Sequence, residues 1–402
     1  MSELLDDLIS HTIGGGWGLE SPREGDLPVK VIRGADFPRA TLKDTSNLPL
    51  RFEPQSKIRT RALREHDIIL ETSGGTKDRP TGRTIFITSE MVDKDIDTIP
   101  ASFCRLVRVD GSKAVPAFVY YALQNLYLAG GTWEFQNQST GISNFQFDVF
   151  RHRFRIPAFP HSAQQTIASV LSALDDKIAA NTKLAVTADR LIELQFRSEV
   201  RDRTESVPLA KIADVNVQSI KPVSGGQLRY IDIASVGIGQ HDLPVLTAWD
   251  VAPSRARRRV HRGDTLWSTV RPNRRSHALN LSDDTRLVAS TGLAVLSPRE
   301  VGFAYLYEAT RQAEFVEYLE SVAEGSAYPA VRAPLFESAP VPLLSRERRV
   351  AFESFAAPMR EHLHSLTLEN RDLSKLRDTL LPELMSGRLR VKDAEKQIEE
   401  VV

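Results

Sequence analysis

One stretch limits what this chain can become: His161 to Val200, forty residues with neither proline nor glycine. Apolar side chains recur at Ile167, Leu171, Leu174, Ile178, Leu184, Leu191 and Leu194. Spacings of three, four and seven put them on one stripe of an α-helix. Pro157 and Pro160 stop a helix from entering upstream, so the helix begins at Ser162 or Ala163. At ~1.5 Å rise per residue it forms a rod of roughly 55 Å. That is too long for an ordinary core helix, and it lies near the middle of the sequence. It reads as a spacer.

A second such stretch closes the chain. From Arg346 to Arg390, Phe352, Phe355, Met359, Leu366, Leu373, Leu376 and Leu380 follow a heptad seam. Each stretch comes after a short proline-bearing strand, Arg155–Phe159 before the first and Ala339–Leu343 before the second. Leu184, Leu191 and Asn181 answer to Leu373, Leu380 and Asn370 at one constant offset. Two half-apolar helices in one chain bury their stripes most simply against each other, and an antiparallel coiled coil is the expected arrangement. Leu171, Leu174, Ile178, Leu184 and Leu191 should meet Phe355, Met359, Leu366, Leu373 and Leu380. Pro358 marks a place where the second helix is expected to kink. Asn181, Ala185 and Ala188 interrupt the first stripe, which weakens the alternative of a plain dimerising coiled coil and leaves the outer faces for partners.

The rest of the chain is a plan used twice. The first part has β-like runs at Val29–Ile32, Ile68–Glu71, Thr84–Ile87 and Phe103–Val107, a helix at Val115–Leu128 and a closing strand at Phe154–Ile156. Met1–Ser10 reads as a short helix, and the glycine-rich His11–Gly18 as a flexible turn. The second part repeats the order with strands at Leu228–Ile233, Thr265–Ser268 and Leu293–Leu296 and a helix at Phe303–Phe315. Glu65–Leu70 answers to Arg262–Trp267, Ala101–Phe103 to Ala289–Thr291, Phe118–Tyr120 to Phe303–Tyr305, and Thr140–Ile142 to Gly325–Ala327. The expected class is therefore mixed α+β: two β-rich globular domains and two long helices, related as a pseudo-twofold repeat.

Catalytic signatures are sparse. There is no GxxxxGK[ST] phosphate loop, no HExxH and no Asn/Asp-Pro-Pro-aromatic motif. Asp67 with Glu71 hints at a nuclease acid pair, but Ser73 stands where the lysine belongs, and Asp264 has only Ser268 at the equivalent place. A turn-closing role for each Asp, before a buried strand, fits better. His362 and His364 on the last helix point to different faces, and no metal site is expected. The single Cys104 excludes a disulfide framework and suits a reducing cytoplasm. No apolar run approaches the ~20 residues of a membrane span.

Basic loops carry the stronger signal. Lys+Arg 52 balances Asp+Glu 52, so a polyanion has to be met by local patches. Between Arg255 and Arg275 stand eight arginines (255, 257, 258, 259, 262, 271, 274 and 275) against one acid, Asp264. Ser268, Thr269, Arg271, Asn273, Arg274 and Arg275 offer guanidinium, hydroxyl and amide groups that grip phosphates and read base edges. The matching loop of the first part offers Ser73, Gly74, Thr76, Lys77, Arg79 and Arg83, with Asn144 beside it. One such loop alone is usually a solvated surface; two at equivalent places favour nucleic-acid binding.

The whole chain resembles the DNA-specificity subunit of type I restriction–modification systems. The resemblance is carried by IPAFPHSAQQTIASVLSALDDKIAANTKL, by VPLLSRERRVAFESFAAPMREHLHSLTLENRDLSKLRDTLLPELMSGRL and by GTWEFQNQSTGISN. It implies target-recognition domains at 1–160 and 201–344, a central spacer helix at 161–200, a distal one at 345–390 and a tail at 391–402. It further implies a non-catalytic cytoplasmic chain that binds double-stranded DNA at a bipartite target in phage defence. Two methylation subunits holding S-adenosylmethionine, and restriction subunits using ATP and Mg, would supply the chemistry; this chain would hold no cofactor. The rival expectations are a coiled-coil scaffold and a diverged stand-alone DNA-modifying enzyme.

Overall fold

A computed structural model describes residues 2–139, 142–201, 205–325 and 328–399. The landmarks Thr140-Gly141 and Ser326-Ala327 lie outside the described residues. The fold is mixed α+β and divides into two compact units, Met1–Lys183 with Thr367–Val402, and Leu184–Leu366.

The central helix spans His161–Val200 and the distal helix Arg346–Ser386. The distal helix continues through Pro358. Inside the first unit Leu171, Leu174 and Ile178 share one core with Leu373 and Leu380. Asp175 pairs with Arg377 at 2.6 Å and Lys177 with Glu369 at 3.1 Å. Asn181 donates to Asn370 at 3.0 Å, and Asn370 in turn to Thr182 at 3.1 Å. Numbers rising on one helix meet numbers falling on the other, so the helices are antiparallel. The buried amide of Asn181 fixes the register, since any slip leaves it without its partner.

Inside the second unit the pairing is also antiparallel: Asp189 meets Arg360 at 2.6 Å and Glu199 meets Arg348 at 2.5 Å. The seven-residue stripe is corrected here. Leu184 and Leu191 are 48% and 51% exposed and Phe355 is on the outer side too, while Ile192 and Phe196 are buried against Phe352 and Ala356. Met359 packs on that core's margin and Leu366 is buried. The cause is helix geometry. Leu174 to Ile192, and Ile178 to Phe196, are steps of 18 residues, five turns at about 3.6, whereas a strict step of seven drifts by about 20° each time. Burying Ile192 and Phe196 contributes roughly 1.5–3 kcal/mol each.

Each unit builds its globular domain on a four-stranded antiparallel sheet. In the first the order is Ile9–Gly14, Cys104–Val109, Ile68–Glu71, Thr84–Phe86; in the second it is Ala213–Val215, Leu293–Pro298, Thr265–Ser268, His277–Leu279. Each adds a second sheet with one parallel pair, Asp26–Ile32 on Thr98–Pro100 and Gln227–Ile231 on Leu287–Ser290. Each is tied off by a two-stranded ribbon, Ser2–Leu4 with Arg155–Pro157 and Glu205–Pro208 with Pro340–Leu343. The register repeats: Ile68 faces Val107 and Phe86 as Thr265 faces Leu296 and Leu279.

Three local expectations give way to tertiary context. Met1–Ser10 is not one helix; only Leu5–Leu8 is helical, with both leucines buried, between the strands Ser2–Leu4 and Ile9–Gly14. His11–Gly14 is therefore an edge strand of the main sheet rather than a loose turn. The helix expected at Phe303–Phe315 is two, Phe303–Thr310 and Ala313–Ser321. Among the described residues no helix is long and apolar enough to cross a membrane.

Candidate nucleic-acid interface

The apolar runs Ile68–Leu70 and Thr265–Trp267 are fully buried strands, and the loop after each of them turns outward. Before each strand an aspartate closes a turn: Asp67 accepts the Arg64 N–H at 2.7 Å, Asp264 the His261 N–H at 2.7 Å. After each strand the same ties hold the loop. Thr72 N–H donates to the Phe103 carbonyl at 2.8 Å and Thr72 O accepts the Phe145 N–H at 2.8 Å. In the second domain Thr269 N–H donates to Gly292 O at 2.9 Å and Thr269 O accepts the Val331 N–H at 2.8 Å. Asp67 and Asp264, and Thr72 and Thr269, are each 197 positions apart.

In the first loop, Ser73 is buried; its hydroxyl donates to Asn144 Oδ1 at 2.9 Å. Arg83 grips the buried Glu71 through two bonds, 2.9 and 2.5 Å, and lies over Phe37 at 5.1 Å. Arg79 reaches Glu71 at 3.4 Å and Gly74 O at 2.5 Å. Both guanidinium groups are thereby committed to holding the loop. Gly74, with φ +137°, leaves no room for a Cβ, which would sit 2.8 Å from Glu71 Oε1. The exposed face consists of Gly74, Thr76, Lys77 and Asp78, with Asn144 beside it.

The second loop is built differently. Ser268 is buried and its hydroxyl donates to Val270 O at 2.8 Å; Thr269 Oγ1 donates to Gly292 O at 2.9 Å. Arg271 and Arg275 both adopt φ +52° around a short turn, Pro272–Arg274, whose proline is buried. Left-handed backbone costs a non-glycine residue about 1 kcal/mol or more, and here two such residues flank one turn. The strain presents Asn273, Arg274 and Arg275 to solvent. Arg271 lies over the Tyr328 ring at 4.6 Å, and its N–H donates to Pro329 O at 2.7 Å. Arg258 and Arg262 are used internally: Arg258 donates to Leu293 O, and Arg262 pairs with Asp283 at 3.3 Å and Glu361 at 2.5 Å.

The acid pair considered for catalysis is bound up in the frame, since Asp67 accepts two 2.7 Å bonds from Arg108 and Glu71 is held by Arg83. Burial pushes Asp264 above the usual carboxylate range, and holds His277, stacked on Trp267 at 4.8 Å, down to about 4. Burial also pushes the Cys104 thiol up to about 12. Among the described residues no group of three or more His, Cys, Asp or Glu side chains is placed to hold a metal ion.

Two exposed rings beside these loops, Phe103 and Tyr328, were not singled out by charge-based reading of the sequence. Their sequence signal is weak: one aromatic within a turn-forming run in each domain, Ala-Ser-Phe and Tyr-Pro.

No family model and no curated protein matches the chain. Solved structures do. The S subunit of a type I restriction–modification system from M. genitalium matches with a TM-score of 0.60 at 15% identity, covering 96% of this chain and 95% of that one. The HsdS subunit from Thermoanaerobacter tengcongensis gives 0.35 at 16% identity over 97% of each chain. A chain from work on complex assembly and conformational transition of the type I R-M system gives 0.37 at 17% identity, covering 97% of this chain and 98% of that one. Two globular domains built on the same four-stranded sheet order and two long helices, matched over nearly the full length of both chains, give this protein the fold of a type I restriction–modification S subunit.

Proposed function

We propose that this chain is the DNA-specificity subunit of a type I restriction–modification system. It binds double-stranded DNA, each recognition domain reading one half of a bipartite target, and it performs no chemistry itself. Partner methylation subunits, two per complex, bring S-adenosylmethionine and modify adenine; restriction subunits bring ATP and Mg. The observation that carries this reading is the repeated frame: one strand-and-loop construction, tied by the same backbone bonds, ends twice in an exposed polar loop, with Lys77 beside Asp78 in the first and Arg274 and Arg275 in the second. Lys77 in one and Arg274 and Arg275 in the other are the side chains best exposed for phosphate and base contacts. Partner docking is supported by the central helix, where Leu184, Leu191 and Leu194 leave an apolar face in water. Fold likeness to an S subunit is an analogy that points the same way.

The test is single-molecule sequencing of DNA methylated by the neighbouring methylation subunit, with and without this chain. Adenine methylation at one gapped, two-part motif only when the chain is present is the expected result. Equal methylation without it, or none with it, rejects the proposal in favour of a scaffold. Shortening the central helix should alter the gap and leave both half-sites unchanged.

A further inference from the structure

Each recognition loop sits beside one aromatic ring that the fold leaves in water. In the first domain the tight turn Ala101–Cys104, closed by the Cys104 N–H on Ala101 O at 2.8 Å, carries Phe103, 63% exposed. The Phe103 carbonyl receives the N–H groups of both Thr72 and Ser73, at 2.8 and 3.2 Å. The ring is thus anchored, through its own backbone, to the root of the loop that exposes Gly74, Thr76, Lys77 and Asp78. In the second domain the position facing this loop root is Gly292, which has no side chain. The ring there comes from another part of the chain. Tyr328 is 69% exposed, lies against the Arg271 guanidinium at 4.6 Å, and precedes Pro329, whose carbonyl accepts the Arg271 N–H at 2.7 Å.

Large apolar side chains on hydrogen-bonded turns gain nothing from folding when they remain in solvent. Both domains place one beside the loop that follows the buried strand, Phe103 on the turn that ties the Thr72 N–H and Tyr328 on the segment that ties the Arg271 N–H. Next to exposed cations, a rigid ring has a ready use on duplex DNA. It can press between stacked bases at a step that opens easily, while the neighbouring Lys or Arg holds the phosphates. We infer that Phe103 and Tyr328 are the base-contacting wedges of the two recognition loops, each set against a flexible pyrimidine–purine step in its own half-site. The inference rests on the specificity-subunit reading and adds to it the residues and the kind of base step.

The test uses the complete chain with its methylation subunits and a library of randomised duplexes, read by sequencing the methylated adenines. Phe103→Ala should lower the preference at one base step of one half-site by about tenfold or more, the usual cost of a lost base contact, and leave the other half-site intact. Tyr328→Ala should do the same to the other half-site alone. Phe103→Leu and Tyr328→Leu, which keep apolar bulk, should restore part of each preference. Unchanged preference in both Ala variants, or a loss spread evenly over both half-sites, overturns the wedge assignment while the specificity-subunit reading stands. A wild-type complex that methylates no gapped two-part motif overturns both.

Discussion

The two globular domains share a frame and fill it with different chemistry. In the first, Asp67 closes its turn and also neutralises Arg108 through two 2.7 Å bonds. In the second, Asp264 closes the same turn, but the strand position facing it holds Ser297, whose hydroxyl donates to it at 2.7 Å. Four residues on, the buried Glu71 with Arg83 is replaced by Ser268, satisfied by its own loop at 2.8 Å. The first loop is thus held by ion pairs around a glycine, the second by a buried proline and two left-handed arginines. What the frame requires is an acceptor that stops the chain before the strand and a carbonyl that ties it afterwards. Charge inside it is optional. The first domain withdraws Arg79 and Arg83 to build its loop and the second exposes Arg274 and Arg275, so arginines in a sequence loop do not by themselves make a basic surface.

The largest difference should come from breaking the buried pair. Arg83→Met leaves the buried Glu71 with only the distant Arg79, at a cost of about 3–5 kcal/mol. Ser276→Ala, at the matching place in the second domain, should cost under about 1 kcal/mol. Hydrogen exchange on the strands Ile68–Glu71 and Thr265–Ser268 reads each domain separately, and equal losses would remove the contrast.

Mild acid should act on the second domain through a buried histidine that the first lacks at the matching strand position. His277 faces Trp267 where the first domain has Thr84 facing Leu70. Burial holds His277 at about 4 against an ordinary 6.5. Its folded form binds fewer protons than the unfolded chain across that window, so its stability contribution is full above pH 6.5 and falls as pH drops toward 4. The loss amounts to about 3 kcal/mol. Asp264 works in the opposite sense: its raised carboxyl favours the folded state as pH falls below that raised value. Glu308 and Glu353, raised by burial, and His241 and His364, lowered by it, titrate in the same unit, so the histidine is read as a difference: His277→Phe should flatten the pH dependence of the urea midpoint relative to the unchanged chain.

Smaller effects should separate the two aspartates. Asp67→Asn keeps the turn acceptor but leaves Arg108 without its counter-charge, costing about 2 kcal/mol. Asp264→Asn should cost under about 1 kcal/mol at neutral pH, because burial already disfavours the charged form there. Comparable losses would mean that Ser297 serves as well as an arginine. The finest contrast lies in DNA binding. Arg274→Ala with Arg275→Ala should make the salt dependence of the complex shallower by about two phosphate contacts, Lys77→Ala by about one, each contact worth roughly 0.9 in slope.

By itself the sequence determined the large periodic elements: two long helices, the buried strands Ile68–Glu71 and Thr265–Ser268, and a plan used twice. Their signals are local, since side-chain period and turn-forming aspartates act over a few residues. Their antiparallel pairing was the simplest outcome of having two apolar stripes in one chain. Tertiary structure alone decided which residues fill the seam. Leu184 and Leu191 satisfy a seven-residue step, yet a helix of about 3.6 residues per turn carries Ile192 and Phe196 inward instead. It also decided which arginines face solvent, because Arg83 and Arg108 turn inward only where a carboxylate from another strand or loop is buried to receive them. Pairing of Ser2–Leu4 and Ile9–Gly14 with distant strands broke up the expected N-terminal helix, and backbone ties between distant turns fixed Phe103 and Tyr328 beside their loops. Such partnerships join residues tens of positions apart, and no window of sequence holds both members.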